Sequence, residues 1–224
     1  MSKILALSET FNIKTVLDFG SGSGEMIEAL SLYFKTEGLE PEDRARETCK
    51  AQGMNVYAST REILAKSGHF DLISLFHVVE HFYRPDSELS NIWDLLSPGG
   101  ILVIETPNSQ DALLTKFKSS SFADFTYWTH HPMLHSNESL AALVSRADFD
   151  IVENTGSQRY GLENHLFWLS NDLPGGHVKW NGLISPPTNL CYENDLISAG
   201  MADTIWLVAQ KPFSSREDIS TFNQ

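Results

Sequence analysis

Along the first half of the chain, short apolar runs take turns with segments of helical spacing, the mark of strands followed in turn by helices. A strand is predicted over Thr15 to Phe19, after which Met26, Ile27, Leu30, Tyr33 and Phe34 recur on one helical face. Gly38 to Glu40 ends a short second strand, and Pro41 is suited to open the helix that follows. Asn55-Val56-Tyr57 forms a short third strand and Phe70 to Phe76 a strongly apolar fourth. Asp86 is read as the cap of a helix whose stripe is Leu89, Ile92, Trp93 and Leu96. A turn, Ser97-Pro98-Gly99-Gly100, leads into a fifth strand over Ile101 to Glu105.

Residues 107–135 lose this rhythm and are rich in Ser, Phe, Trp and His. Order returns at Ser136, a plausible cap for a helix burying Leu140, Leu143, Val144 and Ala147. Phe149 to Val152 and Asp203 to Ala209 read as two closing strands. Between them, residues 156–198 are too long for a hairpin. Leu162, His165, Leu166, Trp168 and Leu169 suit a helix there, with a loop around Pro174-Gly175-Gly176. The expected organisation is one doubly wound α/β domain over 1–213 and a polar tail at 214–224. Two irregular insertions, about 107–135 and 156–198, are where substrate specificity is expected to sit.

Composition narrows the partners. A formal net charge of −13 argues against gripping a nucleic-acid backbone and leaves small molecules, neutral sugars, lipids with small head groups or proteins. A cationic cofactor is comfortable in such a field. The two cysteines, Cys49 and Cys191, form no ligand pattern and fit a reducing cytoplasm. No signal segment opens the chain, and no apolar stretch approaches the roughly twenty residues that span a bilayer.

The run Val16-Leu17-Asp18-Phe19-Gly20-Ser21-Gly22-Ser23-Gly24-Glu25 places three glycines between a strand and a helix, where a ligand can lie against bare backbone. A dinucleotide fingerprint needs its third glycine where Glu25 stands, and Glu25 in the first helical turn opposes a pyrophosphate. A sulfonium nucleoside has no such conflict. Glu40 follows Gly20 by twenty residues, a spacing at which a carboxylate accepts hydrogen bonds from ribose hydroxyls. Asp18 either braces the loop or meets the amino-acid end of the ligand.

With these motifs the chain resembles the class I S-adenosylmethionine-dependent methyltransferases. The glycine motif matches Val16 to Gly24, the ribose acid Glu40, and the fourth-strand acid Asp71 in Phe70-Asp71-Leu72-Ile73. The family's turn-plus-strand motif matches Leu96 to Ile104. The resemblance implies a Rossmann-like, seven-stranded, mostly parallel sheet with an antiparallel last strand, the insertions forming a lid over the strand carboxyl ends. It implies S-adenosyl-L-methionine as cofactor, held by Asp18, Gly20, Ser21, Gly22, Gly24 and Glu40. An aspartate common after the third strand is absent here, so backbone or the Ser59 hydroxyl is expected to meet the adenine.

His77-Val78-Val79-Glu80-His81 matches H-x-x-E-H, the pattern of an inverted zinc peptidase. Arg84-Pro85 follows too soon for the long ligand helix that reading requires. The family resemblance instead puts the segment beside the reactive methyl, with Phe76 and His77 along the cofactor and Glu80 and His81 facing the substrate or bracing the loop. It is similar to an E-x-x-E-H segment of quinone-biosynthesis O-methyltransferases that can hold magnesium. His77 replaces that segment's first Glu and removes an oxygen ligand, so no metal is expected. Candidate bases are His77, His81, His131 and His135, with His81, His131 and Glu80 preferred as catalytic. Three histidines in the stretch from Phe122 to His135, His130 among them, lack an acidic or thiol partner of their own.

The segment Gln158 to Leu169 resembles methyltransferases of cell-surface polysaccharide pathways. Arg159 is placed to meet a substrate carboxylate or phosphate, and Asn164 and His165 to bond sugar hydroxyls. The expected activity is methyl transfer to an oxygen or nitrogen of a sugar, quinone or related small molecule. The alternative is a cofactor-binding interaction protein that has lost catalysis. Oligomeric state is left open.

Overall fold

The computed structural model describes residues 2–128 and 131–213, so His130 and the polar tail lie outside the described residues. Seven strands form one sheet: β1 (Thr15–Phe19), β2 (Lys35–Leu39), β3 (Val56–Tyr57), β4 (Phe70–Phe76), β5 (Leu96–Pro107), β6 (Asp150–Ser157) and β7 (Thr204–Gln210). Their order is β3-β2-β1-β4-β5-β7-β6. The pairings among β1 to β5 are parallel, and β7 runs antiparallel to both β5 and β6. The chain therefore builds outward from β1 to β3, then crosses back to β4 on the other side. That reversal opens a crevice at the carboxyl ends of β1 and β4, where open α/β sheets bind ligands.

Strand alternation divides the core into two layers. Leu17, Ile73, Leu75, Leu102 and Ile104 face one way and pack against α5 (Pro85–Leu95) and α8 (Asn137–Arg146) through Leu89, Ile92, Leu140 and Val144. Val16, Leu72, Ile101 and Val103 face the other way, toward Ile4 of α1 (Ser2–Thr10) and Leu30 of α2 (Glu25–Ser31). Each of these fully buried aliphatic side chains contributes roughly 1.5–3 kcal/mol. Three helices complete the scaffold: α3 (Asp43–Ala51), α4 (Thr60–Lys66) and the capped α8 just named.

Several boundaries differ from the sequence reading for local reasons. Helix α2 stops at Ser31, leaving Tyr33 exposed and Phe34 to pack from the connection into β2. Helix α3 starts after Pro41, because the Glu42 carboxylate accepts from Arg44 N and Ala45 N and makes itself the cap. Asp86 is not the cap of α5: Pro85 occupies the first helical turn with Arg84 before it, and Asp86 pairs with Arg146 at 2.8 Å. Leu96 leaves that helix stripe to begin β5, whose register shifts between Phe70 and Leu72 of its neighbour to accommodate Gly99 and Gly100.

The two irregular stretches contain short helices. The first holds α6 (Ala112–Thr115) and α7 (Ser120–Thr126), and its ends are tied by Ser109 N donating to His135 O at 2.8 Å. The second holds α9 (Leu162–Asn171), α10 (Gly176–Lys179) and α11 (Pro186–Ser198). The Pro174-Gly175-Gly176 loop is thus also a helix start. A Cβ on Gly176 would stand 2.5 Å from Phe167 Cβ, so only glycine lets α10 press onto α9. No helix among the described residues is long and apolar enough to cross a membrane.

Candidate active site

The glycine loop leaves β1 through conformations that favour glycine, with φ of 81°, 51° and 89° at Gly20, Gly22 and Gly24. Gly20 N and Ser21 N both donate to Leu39 O, at 2.7 and 3.0 Å, pinning the loop to the end of β2. Gly22 N donates to Glu40 Oε2 at 2.9 Å, while Glu40 Oε1 accepts from Glu42 N at 2.8 Å. A Cβ on Gly20 would meet Val78 Cγ2 at 2.5 Å, and one on Gly24 would meet Met54 Sδ at 2.5 Å. Over Gly22 nothing lies within 4 Å, so the loop is packed beneath and open above.

Polar groups gather at this opening without full satisfaction. Ser21 Oγ is buried with no hydrogen-bond partner among the described residues. Asp18, next to last in β1, lies just before the loop and accepts from Ser74 Oγ at 2.9 Å. Burial lifts its pKa to about 6; the Ser74 bond opposes this and the nearby Glu40 charge adds to it. Two carboxylates beside bare backbone suit a ligand that is cationic and rich in hydroxyls. Ser59 stands two residues beyond β3, where its hydroxyl accepts from Glu62 N and caps α4. Phe76 stacks on Trp206 with ring centroids 6.3 Å apart.

The H-x-x-E-H segment turns sharply out of β4. His77 has φ of 56°, and Val79–His81 form a single 3-10 turn rather than a zinc-peptidase helix. Glu80 is fully buried, with Oε2 accepting from Thr106 Oγ1 at 2.9 Å and Oε1 3.4 Å from His77 Nδ1. His77 Nε2 lies 3.6 Å from Glu105 Oε1 and against the Arg159 guanidinium. Burial opposes a charge on His77, yet Glu105 and Glu80 carry its pKa up to about 9 against the opposition of Arg159. A protonated Nε2 faces Glu105, whereas the Arg159 contact requires a neutral ring; the two contacts exclude one another.

His81 and His131 bring their rings to 4.9 Å, and their ligand atoms lie with a Glu80 oxygen inside 4.8 Å of one another. The three preferred catalytic residues are therefore neighbours, although fifty residues of chain separate His81 from His131. Such a set can share a proton or a cation, and two imidazoles with one carboxylate suit a borderline metal better than magnesium. His131 Nδ1 lies 2.9 Å from Thr126 O, a group that only accepts. Nδ1 thus carries a proton, and in the neutral ring the lone pair is on Nε2. His135 lies deeper; burial pulls its pKa down and its Nε2 has no hydrogen-bond partner among the described residues.

Beyond these residues a cavity of about 630 Å³ opens between the two insertions. Phe122, Phe125, Trp128, Tyr160 and Trp168 give it aromatic walls, and His77 and His131 reach into it. No glycine-loop residue lines it; Val78, which backs Gly20, and His77, which enters the cavity, join the two spaces. Arg159, Asn164 and His165, singled out for an acceptor, all line this cavity. His165 Nδ1 lies 2.7 Å from Tyr192 Oη, and burial drives the imidazole pKa down to about 4.

Sequence reasoning missed Asp111 and Asp203, which also line the cavity. Asp203 carried a signal: an antiparallel β7 begins where parallel strands end, so the residue before it must lie at the site. Asp111, the cap of a four-residue helix inside an irregular stretch, carried none.

Comparisons with known proteins agree with this architecture. Residues 1–154 match a family described as a methyltransferase domain. Over 103 residues the chain is 30% identical to a ubiquinone biosynthesis O-methyltransferase of Caulobacter vibrioides, a match covering 42% of this chain and 41% of that protein. The chain thus spans about two fifths of the length of the curated relatives it matches. A SAM-dependent methyltransferase from Archaeoglobus fulgidus superimposes with a TM-score of 0.63 at 19% identity, over 94% of this chain and 92% of that one. The [4+2]-cyclase SpnF superimposes with a TM-score of 0.58 at 14% identity, over 95% of this chain and 81% of that one. From the family match and the fold together, the chain belongs to the class I S-adenosylmethionine-dependent methyltransferases.

Proposed function

We propose that the protein transfers a methyl group to an oxygen or nitrogen of a small molecule seated in the cavity between the insertions. The observation that carries this reading is the junction at His77-Val78: one residue enters the acceptor cavity while the next backs the open glycine loop. S-adenosylmethionine, when bound, supplies an electrophilic methyl on a cationic sulfur. Gly20 to Gly24 would hold it with bare backbone, and the unpartnered Ser21 Oγ has a hydrogen bond to offer. Each Glu40 oxygen accepts one backbone N–H and keeps a lone pair for a ribose hydroxyl. Asp18 is suited to the ammonium of the amino-acid end, whose charge would draw its carboxyl back toward the ordinary range. Phe76, His77 and Ser59 complete the proposed cofactor set.

Methyl transfer demands mainly that the nucleophile be held in line, which a walled cavity supplies. An alcohol or ammonium acceptor must also lose a proton. His131 Nε2 is oriented to take it, with His81 beside it and the Glu80 charge behind to stabilise the imidazolium. We infer a cytoplasmic protein without a nucleic-acid partner, a reading that the formal net charge of −13 supports.

The test is release of labelled methyl from S-adenosylmethionine into panels of phenols, sugars and amines. Transfer into one class, lost in His131→Gln, supports the reading. Because the same fold serves a cyclase, cofactor binding without transfer to any acceptor would favour the second reading, a cofactor-holding protein without methyl transfer.

A further inference from the structure

The charges lining the acceptor cavity are unequally matched by ion pairs. Toward the glycine loop, the Arg159 and His77 cations face Glu105 and Glu80. Asp111 and Asp203 also line the cavity, close enough for the Asp203 charge to raise Asp111, and Asp203 accepts from Arg159 N at 3.1 Å and feels the Arg159 charge. Neither forms an ion pair with a Lys, Arg or His side chain among the described residues.

The two acids differ in how they are satisfied. Asp203 is a built anion, accepting from Gln158 Nε2, Arg159 N, Tyr160 N and Thr204 Oγ1. Asp111 is 3% exposed and has one donor, Leu113 N at 2.6 Å on Oδ1, which leaves Oδ2 for the cavity. Burial lifts its pKa to about 7, with the Leu113 bond opposing and Asp203 adding. The nearby imidazole gives no relief, since burial keeps His165 neutral. His177 is turned to Asn164 Oδ1 at 3.4 Å.

A desolvated carboxyl facing an aromatic-walled space is a site for a cation: the acid supplies a counter-charge and the ring faces add quadrupole attraction. A carboxylate or phosphate on the acceptor would meet two acids here, and Arg159 would have to leave Glu105 to serve it. We propose that the acceptor carries a protonated or quaternary nitrogen, held by Asp111 with Asp203 behind it, in the cavity that His77 and His131 also line. This rests on the reading of the cavity as the acceptor site. It identifies the acceptor as an amine-bearing compound with a flat or apolar body, anchored by that cationic nitrogen.

Calorimetric titration of the full chain, first saturated with S-adenosylhomocysteine, separates the two claims. The probes are tyramine, para-ethylphenol and para-hydroxyphenylpropionate, which share a ring and differ in tail charge. Tyramine is expected to bind about ten-fold or more tightly than para-ethylphenol, and the propionate most weakly. In Asp111→Asn, which keeps the oxygen that caps α6, that preference falls to about two-fold or less. Equal or tighter binding of para-ethylphenol or the propionate, or no tyramine binding, overturns the proposal, as does an unchanged preference in Asp111→Asn. The wild-type comparison decides the matter even if the variant does not fold. A missing signal for S-adenosylhomocysteine itself would instead strike at the proposed function.

Discussion

The cofactor loop and the acceptor cavity are built from opposite materials. The loop is local: β1, the three glycines, α2 and Glu40 fall within twenty-six residues, and its shape depends on backbone conformation and missing Cβ atoms. The cavity is assembled from side chains far apart in the chain, with Arg159 meeting His77 across 82 residues and Gln158 meeting Asp203 across 45. The loop therefore constrains which residues can stand where, while the cavity constrains only which surfaces face each other. One half is suited to a fixed ligand, the other to an acceptor that differs among proteins of the same fold.

If the halves divide the labour this way, variants should separate chemistry from cofactor binding. His131→Gln removes the oriented lone pair and is expected to lower the methyl-transfer rate about 10²–10³-fold. Its affinity for S-adenosylhomocysteine should stay within about two-fold, a split read by rate and calorimetry together. Gly20→Val imposes a side chain at a φ of 81° and into Val78, 2.5 Å from the first added carbon. Cofactor affinity should fall by about 10²-fold while tyramine binding to the cavity persists. Loss of both together, in a protein that still melts cooperatively, would contradict the separation.

The two halves also respond to pH in opposite senses. Asp18 has a folded pKa of about 6 against 3.8, so its contribution is complete below pH 3.8 and is lost as pH rises through 6. Asp18→Asn should therefore raise stability at pH values above 6, by up to about 3 kcal/mol, and change little in acid. His165 has a folded pKa of about 4 against 6.5, so its contribution is complete above pH 6.5 and is lost as pH falls through 4. His165→Phe should flatten the acid side of the stability profile, again by up to about 3 kcal/mol. Denaturant melts of both variants across pH check the two signs.

The smallest effect concerns Ser59. Its hydroxyl caps α4, so Ser59→Ala should cost about 1 kcal/mol of stability and no more than about three-fold in cofactor affinity. A larger loss of affinity would show that the hydroxyl itself carries the adenine contact.

The same contrast explains what could be read in the sequence. β1, β4 and the middle of β5 were legible because a strand covered on both faces reads as a nearly continuous apolar run, as Ile101 to Ile104 show. The glycine motif was legible because its physics is local. Helices α1, α4 and α11 escaped, the last because its apolar residues form no continuous stripe: only Leu196 is buried, while Leu190 is exposed. His81 and His131 could be named as candidates, but their meeting depends on the path of residues 107–135, which no periodicity specifies. Asp111 was hidden for the same reason.

The most direct test of the central claim is calorimetric titration of the 224-residue chain with S-adenosylmethionine, set beside Glu40→Ala. The account predicts one cofactor bound per chain and a loss of at least about ten-fold in the variant, since a charged partner of the ribose hydroxyls is removed and Gly22 N is left unpaired. Equal affinity in the two proteins, or no binding to the wild type, would contradict it.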